Sequence, residues 1–364
     1  MKWRELKLWQ KKKMIAWPSV YILTAMLFIG FVVCHMISEG SAAGEEYEAA
    51  LANDAQSLAL ERELSGEAVP VTAGTYVETV KEISLKNCNF RVAFIVWFKW
   101  AEGDELDFTG DQFRIYNGII NKKEVLTDMV EDGIHYQEFR VDATVSKSFN
   151  IARFPLGNQV LKFYVEPNEY TASEVVLVPD RENSGVNKNL KISGYSLKRH
   201  DVGEHVIVYP NTMNHPEFTS PRTSSELVTV LEISHSNWGL YLKCFIALLG
   251  TTVWVFIVLY ICANHMVNPL GTIPAALFGT IGNLMVGANL LPDVVQVGLV
   301  EYVNLYGTMI ILAGALSIIN INRIRELEGG AEFARLYGRT LFFVLLVLCV
   351  AGQILMPFSA NVWS

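Results

Sequence analysis

The residues best spaced for chemistry lie in an uncharged run near position 280. Thr272, Ala276, Gly279, Asn283 and Val286 recur at intervals of four, three, four and three, which on a helix gathers small or polar side chains on one side. Such a face tolerates water and could line an ion path. The same small residues also let two helices approach closely. Ile273, Leu277 and Leu284 supply bulk on the opposite side, suited to packing against other helices. The stripe holds no Asp, Glu, Lys or Arg, so it lacks the rings of charge that commonly set ion sign. Neither cation nor anion selectivity follows, and a constriction that gates by dewetting is compatible with the lining.

Other chemistries find little support. The seven histidines are scattered, with no HExxH or CxxC spacing, so no zinc site is expected. No GxSxG and no phosphate-binding glycine loop occurs, and neither an enzyme nor a cofactor is expected. Glu102, Asp104, Glu105, Asp107 and Asp111 could offer oxygens to a divalent ion; a solvated loop is the plainer reading. Of five cysteines, Cys34, Cys244, Cys262 and Cys349 lie in apolar segments and Cys88 stands alone in the polar half. No disulfide framework is available. The net charge of −8 leaves no basic stripe for nucleic acid.

The elements that must position the stripe are membrane spans. A hydrophobic fraction of 51% and a mean hydropathy of +0.28 are high for two soluble domains. Apolar runs of about 20 residues, enough to cross the hydrocarbon core and with no charge beyond Lys243 and Glu301, fall at 15–37, 240–262, 269–290, 299–321 and 340–358. Lys2, Arg4, Lys7 and Lys11-Lys12-Lys13 precede the first run and hold the N-terminus (1–14) in the cytoplasm. The run itself is longer than a signal peptide's apolar region and reads as an uncleaved anchor. Arg323, Arg325, Arg335 and Arg339 then fall on the cytoplasmic side between the fourth and fifth runs. The protein is expected in the inner (plasma) membrane, multi-pass, with the polar half outside.

Residues 38–74 read as a helical linker, with 45–64 rich in Ala, Leu and Glu. From Thr75 the period changes to two: Phe90, Val92, Phe94, Val96 and Phe98 share one face. Similar runs recur at FRIYNGII, YQEFRVDATV, QVLKFYVE, EVVLVP, NLKISGYSL, EHVIVYP and ELVTVLEIS, separated by Gly, Asn, Asp and Pro. Many short strands at this spacing predict an antiparallel β-sandwich over 75–236. The fold class is thus a periplasmic or extracellular sandwich followed by a four-helix transmembrane bundle (237–364), with an added N-terminal anchor helix.

Three patterns in this order resemble a known family. Phe149 to Leu161 (FNIARFPLGNQVL) is similar to the FPxDxQ segment at the base of the extracellular domain in pentameric ligand-gated ion channels. It lacks the flanking cysteines, as in the bacterial branch, and has Gly157 where Asp is usual. NLKISGYSL, the loop from Tyr209 to Ser224 and ELVTVLEIS resemble the family's last strands and its binding-site loop. Asn268 to Asn283, closing at Leu290-Leu291-Pro292, looks like the second membrane helix of a bacterial subgroup. One departure is Gly250, near the point where the family's first membrane helix carries a proline.

The resemblance implies a homopentamer whose small-molecule ligand, of unknown identity, binds between neighbouring subunits and opens a pore for inorganic ions along helix 269–290. The aromatic residues nearest the family's binding loops are Trp100, Tyr116, Tyr170, Tyr195, Tyr209 and Phe218; core packing or strand pairing is the plainer reading of each one alone. Coupling between domains would run through Phe154 and Pro155 to Leu291 and Pro292. The competing reading is a non-conducting, membrane-anchored solute sensor with the same topology. Apart from its own copies, the ligand, ions and the lipid bilayer, no partner is expected.

Overall fold

The computed structural model describes residues 6–52, 68–101, 108–192, 194–209, 222–235, 238–265, 267–292 and 296–362. The chain forms two units. Met1–Ser41, Ile151–Gly157 and Asn237–Ser364 make a helical unit, and Ala42–Asn150 with Asn158–Ser236 make a sheet unit.

In the sheet unit the period-two run becomes β2 (Asn89–Ala101), with Phe90, Val92, Phe94, Val96 and Phe98 all at most 1% exposed. Each such side chain contributes roughly 1.5–3 kcal/mol relative to an exposed one. One sheet has the order β4 (Gly118–Glu131), β5 (Ile134–Ser146), β2, β1 (Val69–Ser84), β7 (Val175–Pro179), with β8 (Gly185–Val186) also on β1. The other has the order β3 (Phe113–Ile115), β6 (Gly157–Pro167), β10 (Arg222–His235), β9 (Ser196–Tyr209). Pairing is antiparallel except where β1 meets β7 and β8. Side chains of the two sheets meet: Phe94 of β2 lies 4.5 Å from Phe163 of β6, and Thr75 of β1 and Thr229 of β10 share a 2.7 Å hydrogen bond.

Several boundaries differ from expectation. The strand expected from Thr75 begins at Val69, because Val69–Ala73 pairs in parallel with Val175–Pro179 despite Pro70. Gly74 does not break it; a Cβ there would lie 2.3 Å from the Trp97 ring, so only glycine fits beneath the indole. The strands read as YSL and EHVIVYP are one element, β9, paired with β10 from Ser196 to Tyr209. Before it, among the described residues, NLKIS contributes only the isolated bridge between Ile192 and Tyr195.

The helical linker survives as α2 (Ala42–Leu51); residues 53–67 lie outside the described residues. Tyr47 and Ala50 of α2 bury against Val160, Val228 and Val230. The Arg199 guanidinium stands 3.8 Å over the Tyr47 ring and pairs with Glu48 at 2.8 Å. Lys147 pairs with Glu46. This stretch therefore belongs to the sheet unit rather than forming a separate linker.

The helical unit contains α1 (Leu8–Ser38), α3 (Trp238–His265), α4 (Ile273–Leu290), α5 (Leu299–Arg325) and α6 (Gly330–Val362). These are the five helices among the described residues that are long and apolar enough to cross a membrane. All run beyond the apolar windows that predicted them, except that α4 is preceded by one 3-10 turn at Leu270–Thr272. The α6 extension is amphipathic, burying Phe333, Ala334, Tyr337 and Gly338. Pro274 sits in the first turn of α4, where its missing N–H is no loss. α1 buries the seam Pro18, Tyr21, Ala25, Ile29, Val32 and Met36. Along it Tyr21 donates to the Ala313 carbonyl of α5 at 3.2 Å, and Trp9 meets Phe333 of α6 edge-on at 5.4 Å.

Candidate functional site

The predicted aromatic residues fall into two clusters of the sheet unit. At the end of β2, Trp100 stacks on His135 (5.0 Å, 6° between planes) and meets Phe108 edge-on at 4.9 Å. Phe108 in turn contacts Tyr170 at 5.2 Å. Trp100 is 7% exposed, which makes this cluster a packed corner. The second cluster gathers Tyr116, which is 46% exposed, Tyr209 at 6.0 Å and Tyr164 at 6.2 Å. Tyr195 belongs to neither; burial pushes its hydroxyl up to about 12. Phe218 lies outside the described residues, as do Glu102, Asp104, Glu105 and Asp107.

The tyrosine cluster borders charged groups that sequence reasoning missed. Alternation along β6 places Tyr164 and Glu166 on one face; along β10 it places Arg222, Ser224 and Glu226 together. Arg114 of β3 donates to both Glu166 oxygens, at 2.9 and 3.1 Å, and to the Tyr209 hydroxyl at 3.2 Å. Tyr209 donates to Glu166 at 3.0 Å, and Arg222 donates to the Asn168 carbonyl at 2.9 Å. Burial and the Glu166 carboxylate both raise the Tyr209 hydroxyl pKa strongly.

Glu226 is only 1% exposed. Its Oε2 lies 3.4 Å from His205 Nδ1, while its Oε1 and the neighbouring Ser224 Oγ have no hydrogen-bond partner among the described residues. Burial first, and Glu166 next among the raising causes, lift the Glu226 carboxyl above its ordinary range, with His205 opposing. Glu226 acts electrostatically on Tyr164 and Tyr209, and a buried carboxylate with a vacant oxygen near such rings can receive a cation through charge, a hydrogen bond and the π faces. The signal for it was present as single charged residues inside apolar strands, FYVEP and ELVTV.

In the helical unit, the stripe faces inward. Ala276 and Asn283 are each 1% exposed. A Cβ on Gly279 would meet Thr251 of α3 at 2.0 Å, Thr272 is half-buried, and the side chain of Val286 lies outside the described residues. Of the face expected to pack, Leu284 is 46% exposed, whereas Ile273 is buried. The free side of α4 carries Ala275, Phe278, Gly282, Met285 and Asn289, all exposed. Small residues thus serve the approach of α4 to α3 and α5, and the side left open is bulkier than the stripe.

The FP segment also departs from the strands that flank it. Ile151–Gly157 is buried throughout and belongs to the helical unit, so the β domain predicted over 75–236 is interrupted. Leu299 at the start of α5 donates to the Ala152 carbonyl at 2.7 Å, and Gly298 presses so closely that a Cβ would lie 2.7 Å from the Ile151 carbonyl. Arg153 donates to the Gly40 carbonyl at 3.3 Å and to that of Ala360. Burial lowers its guanidinium pKa to about 10, with Glu39 opposing. Phe154 and Leu291 are both 5% exposed, Pro155 is buried and Pro292 half-buried. The hydrogen bond from the segment to the start of α5 therefore runs through Ala152 and Leu299, which sequence reasoning did not name. No protein-family model matches the chain, and no curated protein matches it.

Proposed function

We propose that the chain is a subunit of a ligand-gated ion channel of the pentameric type, with a sandwich-like outer domain and a pore along α4. The observation that carries this reading is the FP segment. Residues 151–157 lie between two strands in sequence, yet they are fastened to α5, to the end of α1 and to the last turns of α6. A ligand that favours one arrangement of β6 and β10 would bias those helices by its differential affinity for the two states.

Glu226, Ser224 and the rings of Tyr116, Tyr164 and Tyr209 support an amine as the ligand class. The β4–β5 hairpin supports assembly from like copies: Ile119, Val125, Leu126, Met129, Val130 and Ile134 are all exposed on it, an unusual amount of apolar surface for a free edge. The bulky free side of α4 instead favours the non-conducting sensor, since Phe278 and Met285 offer no ready path for water. Purified protein reconstituted in planar bilayers distinguishes the two. Discrete currents from a pentamer, evoked by primary or quaternary amines and lost in Glu226→Gln, are the expected result. A monomer, or a pentamer that binds amines without current, would overturn the channel in favour of the sensor.

A further inference from the structure

The buried amides where α4 meets its neighbours have no part in the mechanism above. Asn283 is 1% exposed and Asn304 2%. Asn283 Nδ2 donates to Asn304 Oδ1 of α5 at 2.7 Å, and its Oδ1 lies 3.4 Å from the Leu248 N–H of α3. Asn304 is itself oriented by donating to the Val300 carbonyl at 2.8 Å. One side chain of α4 is therefore held by two other helices. Polar groups are costly in apolar surroundings unless satisfied, and a single buried Asn can fix the register of packed helices. The neighbouring contacts, Gly279 on Thr251 and Gly287 on Val300, are steric and set how closely α4 approaches α3 and α5.

We infer that Asn283 and Asn304 form a pin that fixes the rotation of α4 about its axis and so decides which side chains occupy its open face. With the pin made, Phe278 and Met285 are 73% and 63% exposed while Ala276 is buried. With the pin broken, α4 turns between orientations that the small residues alone do not separate. The consequence for current rests on the reading of α4 as the pore helix; the rotation does not.

The test uses full-length protein in bilayers with Cys34 and Cys88 replaced by Ser, since the other three cysteines are buried. A nitroxide is placed at Phe278→Cys or, separately, at Met285→Cys. Spectra are compared in three backgrounds: the intact pair, Asn304→Leu, and Asn283→Leu with Asn304→Leu. Removing both amides leaves no orphaned partner, so the double variant should keep nearly wild-type thermal stability while Asn304→Leu alone loses some. A single motional component is expected with the pin. In the double variant a second component should grow by roughly 3- to 18-fold, the range one interhelical hydrogen bond commands in an equilibrium. Unchanged spectra in the double variant would overturn the pin. Should that variant not fold, Asn304→Ser withdraws the acceptor while keeping polarity; the second component should grow there too, and its absence would overturn the pin equally. A mobilised α4 with no current in any background would leave the pin standing and remove the channel.

Discussion

Single residues carry the pH behaviour of the sheet unit. The Asp142 carboxylate accepts from Arg91 at 2.7 Å and pairs with Lys81; the Arg91 hydrogen bond is the leading cause that lowers its pKa to about 2. The stability this adds is present above the ordinary value of 3.8 and is lost as pH falls through about 2. Asp142→Asn should therefore lower the thermal midpoint at pH 5 and leave it little changed at pH 2, measured by circular dichroism. Glu226 acts in the opposite sense. Its raised pKa favours the protonated form in the fold, so stability declines as pH rises above the ordinary 4.5 and through the higher folded value. Glu226→Gln should flatten that decline over the same scan and raise the midpoint at neutral pH.

Between elements, glycine placement decides how closely helices approach. A Cβ on Gly352 of α6 would lie 2.2 Å from the Tyr306 ring of α5, whereas one on Gly250 of α3 meets nothing within 4 Å. Gly352→Val should cost about 1–3 kcal/mol and lower the detergent-solubilised melting temperature. Gly250→Val should leave it unchanged, and a matching loss there would show that Gly250 has a packing role after all. The same contrast explains what the sequence made legible. Apolar length located all five long apolar helices, and strict alternation located β2, because each signal is local. The inward turn of Ala276, Gly279 and Asn283 was not legible, since small residues at helical spacing suit a wet face and a close contact alike. Pro70 and Gly74 hid the start of β1, because the parallel partner that holds it, Val175–Pro179, lies about a hundred residues away. Glu166 and Glu226 escaped notice because charge within a strand marks a site only once the neighbouring strands are known.

For the whole molecule, the exposed β4–β5 hairpin is the surface on which assembly should depend. Val125→Lys with Met129→Lys adds charge at two exposed positions and should lower the mass of the proposed homo-oligomer by light scattering, with the circular dichroism of the folded chain retained. An unchanged mass would move the contact elsewhere.

The way α1 is completed has a consequence for biosynthesis. Its seam closes on α5 and α6, and the hydrogen bond from Tyr21 to Ala313 spans 292 residues. At about 5–20 residues per second, translation takes on the order of tens of seconds to reach that partner. For that interval Pro18, Tyr21 and Ala25 of the first helix made lack the partners that bury them, while the strands of both sheets are made behind it. The last helix made is the one that most fully covers it. The nascent chain must therefore carry the apolar seam of its oldest helix uncovered until its final neighbours are made.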